Sequence, residues 1–147
     1  MKKTAHKNIP ISQAIEKALG ITFSNKEFSL GGWGEVDNWC QLSHDTLVLL
    51  ECESGQKHPT TNVLKLFPYL EEFPKVNVIL LHYFIPENKT PKNRVALCHF
   101  LGEKLENTFG IRFQYVHVRC KHEMIEMEFS KHNKRLMQML PLKKIKK

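Results

Sequence analysis

The sequence predicts an α/β fold, a central mixed sheet flanked by helices that opens with an α-β-β-β-α-β core. Three observations lead there. Two β-prone apolar runs, Thr46 to Leu50 and Val76 to Phe84, are nearly uninterrupted, as expected of strands covered on both faces. A stretch of helical periodicity beginning at His58-Pro59 separates them, so the three segments read as a β-α-β crossover with parallel strands. Finally, Ser43-His44-Asp45 is a short turn signal that folds residues 35–42 back onto 46–53 as an antiparallel hairpin.

The remaining elements follow in order. Asn8 and Pro10 mark the start of a first helix, in which Ile11, Ile15, Ala18 and Leu19 recur at helical spacing until Gly20. Phe28-Ser29-Leu30 is a short strand, and Gly31-Gly32-Trp33-Gly34 a turn. The hairpin comes next, with Glu35, Asp37 and Trp39 on one face of an unbent first strand. Pro59 suits the first position of the second helix, predicted over 59–72, which Pro68 should kink or shorten. After strand 76–84, Thr90-Pro91 begins a third helix over 92–109 that Gly110 closes. Strand 111–118 follows, with Phe113, Tyr115 and His117 on one face. The alternation in Glu123 to Phe129 favours another strand over a helix, and residues 131–140 read as a last helix.

With 147 residues the chain is expected to form one domain with a substantial core. It contains no run of 18 apolar residues and no leader pattern, so an intracellular, cytoplasmic setting and no membrane partner are expected. The net charge of +7 resides in the ends: Lys2, Lys3, Lys7, Lys143, Lys144, Lys146 and Lys147 supply it, and the other 15 basic residues balance 15 acidic ones. Basic tails suit loose contact with a polyanion, and equally suit solvated ends. Cys40, Cys52, Cys98 and Cys120 lack metal-ligand spacing and read as reduced thiols.

The chemistry concentrates where the second hairpin strand ends. Glu51 and Glu53, at i and i+2, project from one face, roughly 7 Å apart. Cys52 between them points the other way, into core. Asp37 can lie across from them if the hairpin register allows it. Carboxylates gathered at the end of a buried strand need compensation, and a divalent cation supplies it. A plain solvent-facing strand end, with Glu51 paired to Lys65, accounts for the same letters. Among the histidines, His82 reads as a satisfied core residue, His44 as a turn residue, and His58 as a helix-start residue or a base. Trp33 and Trp39 are expected either to pack or to stack on bases.

A helix bearing Glu16, a hairpin carrying Asp37, and Glu51-Cys52-Glu53 before a helix resemble the PD-(D/E)XK nuclease superfamily over roughly residues 10–85. The resemblance implies a restriction endonuclease-like fold and a metal-dependent nuclease acting on DNA phosphodiesters. It implies Asp37, Glu51 and Glu53 as ligands of Mg²⁺ or Mn²⁺. Glu53 stands where the superfamily usually has lysine, so Lys57 or Lys65 would have to assist from elsewhere. Glu16, Glu35, Gln56 and His58 are auxiliary candidates, Glu16 being expected to face solvent if it plays no part. In so small a chain, specificity would come from a homodimer, a protein partner or the structure of the DNA. The departure at Glu53 also supports a second class of function: a non-catalytic module that keeps the fold and binds nucleic acid or protein.

Overall fold

The computed structural model describes residues 9–55, 58–86 and 90–137. Helix α1 (Ile9–Leu19) leads into β1 (Phe28–Ser29), a 3-10 turn (Gly31–Trp33), β2 (Glu35–Val36), β3 (Asn38–Ser43) and β4 (Thr46–Glu53). Then come α2 (Thr61–Leu64), α3 (Leu66–Glu72), β5 (Asn77–Phe84), α4 (Lys92–Phe109), β6 (Phe113–Arg119), α5 (Ile125–Ser130) and α6 (Asn133–Met137). The main sheet has the order β3-β4-β5-β6, with β3 antiparallel to β4 and β5 and β6 parallel to it. Strands β1 and β2 form a separate antiparallel pair.

The alternation of β4 and β5 produces two cores. Val48, Leu50, Ile79 and Leu81 face α1 and α5, where they meet Ile15, Leu19, Ile125 and Phe129. Leu47, Leu49, Val78 and Leu80 face the other way, against Val63, Leu66, Leu70, Cys98 and Leu105 of α2, α3 and α4. Burial on both faces is why these strands lack polar alternation. Among the described residues, no helix is long and apolar enough to cross a membrane.

Three expectations need correction, and the break expected in the second helix is present. The predicted strand 35–42 is broken at Asp37, a bend between β2 and β3, Asp being a poor strand former. The helix over 59–72 begins at Thr61 and, as Pro68 leads one to expect, is broken into two pieces at Lys65. Pro68 has no N–H for the Leu64 carbonyl, and its ring crowds that oxygen. Residues 123–129 are not a strand but the end of a 3-10 turn followed by α5. Ile125 and Phe129 are fully buried at i, i+4, whereas Met127 between them is 49 % exposed, which strand alternation would not allow. Glu16 is half-buried rather than solvent-facing, and its Oε2 accepts the Phe23 N–H at 2.7 Å, which ties the chain after Gly20 to α1. The expected last helix is seen as α6, and its residues 138–140 lie outside the described ones.

The outer edge of β6 is capped by side chains. The Tyr115 N–H donates to Glu106 Oε2 of α4 at 2.7 Å, and Arg135 of α6 donates to the Tyr115 carbonyl at 3.1 Å. Arg135 also meets Glu106 Oε2 at 3.1 Å. The N–H and carbonyl of Tyr115 on this edge are thereby satisfied, which fixes Tyr115 in place. Helix α4 comes so close that a Cβ at Gly102 would strike the Tyr115 ring.

Candidate active site

The hairpin ladder ends where Asn38 pairs with Leu50, at the Glu51 end of β4, and the bend residue Asp37 comes next. Its charge reaches Glu51, as does that of Glu53. Burial and, secondarily, these two carboxylates push the Glu51 carboxyl up to about 7 against the opposing pull of Lys65. The same three charges, after burial, push the Cys52 thiol up, so it stays protonated.

Lys65 is held at the break between α2 and α3. Its Nζ donates to Glu51 Oε2 at 2.8 Å, to the Glu35 carbonyl at 3.0 Å and to Asn62 Oδ1 at 3.1 Å. Gly34, at φ 122°, lets the preceding loop pass over the Lys65 stem. Glu35 therefore contributes a backbone oxygen; its side chain is exposed.

From Asn62 a hydrogen-bonded chain runs through the sheet's helical face. Asn62 Nδ2 donates to Glu53 Oε2 at 2.7 Å, and His82 Nε2 meets the same oxygen at 2.7 Å. His82 Nδ1 lies 2.8 Å from the Tyr115 hydroxyl, which lies 2.9 Å from His117 Nδ1. One assignment satisfies every link. His82 donates Nε2–H to the carboxylate and accepts the Tyr115 O–H at Nδ1, while the Tyr115 oxygen accepts Nδ1–H from His117. Strand register places these groups together, since Glu51, His82 and His117 are successive partners across β4, β5 and β6. Burial, then His82, His99 and Arg119, push His117 down to about 4. It is neutral at pH 7.

The structure thus gathers Glu51, Glu53 and Lys65, with Asp37 within reach of their charge. His58 is elsewhere: its ring takes a hydrogen bond from Arg94 at 3.1 Å and its carbonyl accepts the Thr61 N–H at 3.2 Å. Gln56 and Lys57 lie outside the described residues. Asn62, Tyr115 and His117 were not among the sequence-derived candidates. The available signals were one polar residue, His82, inside an apolar strand, and Tyr115 and His117 at i, i+2 on its neighbour.

Glu53 does not stand with Asp37 and Glu51 as a third ligand. It is fully buried and its Oε2 is held by Asn62 and His82. Among the described residues, no three His, Cys, Asp or Glu side chains are placed to hold a metal ion.

Trp39 packs on Phe28, ring centroids 4.8 Å apart, and donates its Nε1–H to the Lys26 carbonyl at 2.7 Å. It is a packing residue. Trp33 is 46 % exposed, and its Nε1–H donates to Glu72 Oε1 at 3.0 Å.

No family model, curated protein or solved structure matches the chain.

Proposed function

We propose that the protein is a metal-dependent nuclease of restriction endonuclease-like fold that hydrolyses DNA phosphodiesters. The observation that carries this reading is Lys65 Nζ at 2.8 Å from Glu51 Oε2, a carboxylate within reach of the Asp37 charge; the plain strand-end reading shares the pair but not its burial. Glu53 occupies the usual lysine position along the strand, and Lys65 brings an ammonium group to the same carboxylate from the following helix. The order of β2/β3, β4 and β5, with α2 and α3 between the last two, also agrees with such a core.

In this reading Asp37 and Glu51 hold Mg²⁺ or Mn²⁺, which when bound polarises the phosphoryl oxygen and lowers the pKa of water. Lys65 orients the attacking water and offsets negative charge developing on the phosphoryl oxygens. Asn62 holds the Lys65 ammonium in position. Glu53, itself held by His82, accepts from Asn62 behind it.

The test is incubation with supercoiled and branched DNA in Mg²⁺, Mn²⁺ or EDTA. Metal-dependent nicking, lost in folded Asp37→Ala and Glu51→Ala proteins, supports the enzyme. Nicking that survives both substitutions overturns this assignment.

One observation favours a non-catalytic, nucleic-acid- or protein-binding module: Glu53 is turned inward, leaving two carboxylates rather than three. DNA binding without cleavage in any metal would decide for it.

A further inference from the structure

Away from Asp37, Glu51 and Lys65, two histidines meet where α4 packs against the edge strand β6. The rings of His99 in α4 and His117 in β6 have centroids 5.2 Å apart and planes at 86°. Each Nδ1 faces an oxygen. His117 Nδ1 lies 2.9 Å from the Tyr115 hydroxyl, and His99 Nδ1 lies 4.0 Å from Glu103 Oε2, one helical turn on. These oxygens favour hydrogen on Nδ1, which leaves a lone pair on both Nε2 atoms. Behind His117 the support continues, because the Tyr115 hydroxyl donates to His82 and His82 to the buried Glu53 carboxylate. His82 has both nitrogens engaged in that chain and is not a third member of the pair.

We propose that His99 and His117 together bind Zn²⁺, which clips α4 to β6 and keeps water in its remaining positions. A histidine that ligates a metal ordinarily gives its other ring hydrogen to a carboxylate or similar acceptor. That bond fixes the tautomer and raises the basicity of the ligating nitrogen. Both rings have this arrangement. Zn–N bonds of about 2.0–2.1 Å at the tetrahedral angle hold two imidazole centroids about 5 Å apart, the spacing seen here. His117 is fixed by Tyr115, whereas His99 is half exposed and only loosely held by Glu103, so its ring can turn Nε2 towards the ion. The site lies outside the nuclease reading and does not rest on it. His117 stands two strands from Glu51, about 10 Å across the sheet. Imidazole nitrogens suit Zn²⁺ and carboxylate oxygens suit Mg²⁺, so the two places take different ions.

The test is addition of Zn²⁺ to the full chain in excess Mg²⁺, followed by the histidine Cε1–H resonances and the melting temperature. One equivalent should shift the His99 and His117 resonances, leave those of His44 and His58 in place, and raise the melting temperature as any ligand of the folded state does. His99→Ala, at a half-exposed position, should fold and lose both effects. Asp37→Asn/Glu51→Gln should keep them. Shifts confined to other histidines, a rise retained in His99→Ala, or a response lost in Asp37→Asn/Glu51→Gln overturns the proposal. So does the absence of any response to Zn²⁺, in which case the two rings only pack edge to face. DNA cleavage in Mg²⁺ should be unchanged by His99→Ala, so the zinc site and the nuclease reading stand or fall separately.

Discussion

His82 Nε2 and Glu53 Oε2 lie 2.7 Å apart with both side chains fully buried. A polar pair inside the core costs desolvation that its mutual attraction only partly offsets, so its effect on stability depends on both partners being present. His82→Leu should destabilise the protein by about 3–5 kcal/mol, because Glu53 then stays buried without its imidazole. The double variant His82→Leu/Glu53→Met should recover much of that loss. Urea denaturation of the two proteins measures the difference. A double variant no more stable than His82→Leu would mean that Glu53 is held by its other contacts.

Tyr115 carries the chain onward, and its ring rests against the backbone of α4 at Gly102. Alanine ordinarily favours a helix interior by about 1 kcal/mol over glycine. At Gly102 the new methyl must displace the ring, which overpacking makes unfavourable by about 1–3 kcal/mol. Gly102→Ala should therefore destabilise, against its propensity. Gly102→Ala/Tyr115→Leu should be less affected by the alanine. Melting temperatures of the two pairs, each with and without the alanine, check this.

Much of the fold was legible because burial on both faces leaves a plain trace in β4 and β5. Their apolar runs, separated by a helical segment, allow little but parallel strands with a crossover. Alternation misled at 123–129, where Ile125 and Phe129 satisfy period two and i, i+4 equally well and only tertiary packing decides. The candidate site was half legible. Glu51 and Lys65 were visible as a pair of opposite charges. The direction of Glu53 was not, because it depends on His82 in a strand 29 residues away, a partnership that no local pattern records. Glu16 was misread for the same reason: its acceptor role depends on the path of the chain after the helix.

His117 has a folded pKa near 4, below its ordinary value of 6.5. Between these values the unfolded chain binds more protons than the folded one, so stability is lost as pH falls through the window. Protonation adds a proton at Nε2 and leaves the Nδ1–H bond to Tyr115 in place, so the loss is the cost of a charge on a partly buried ring. His117→Asn should flatten the stability profile between pH 6.5 and 4. Denaturant midpoints at several pH values, wild type against variant, provide the check, and a parallel decline in both proteins would assign the acid sensitivity elsewhere.

Glu51 titrates in the opposite sense. Its folded value of about 7 stands above the ordinary 4.5, so the folded protein binds the extra proton between them. Stability contributed by the protonated carboxyl is present below 4.5 and lost as pH rises towards 7, a decline of order 3 kcal/mol. Glu51→Gln should be flatter across that window and more stable than wild type at pH 8. Lys65→Met removes the lowering influence, moves the Glu51 titration upward and steepens the loss. If Asp37 and Glu51 hold Mg²⁺, the ion favours the ionised carboxylate and should restore stability above pH 7. The Mg²⁺-induced rise in melting temperature should then be larger at pH 8 than at pH 6, and absent from Glu51→Gln and Asp37→Asn. A rise independent of pH, or one retained in both variants, would place any bound cation away from these two residues.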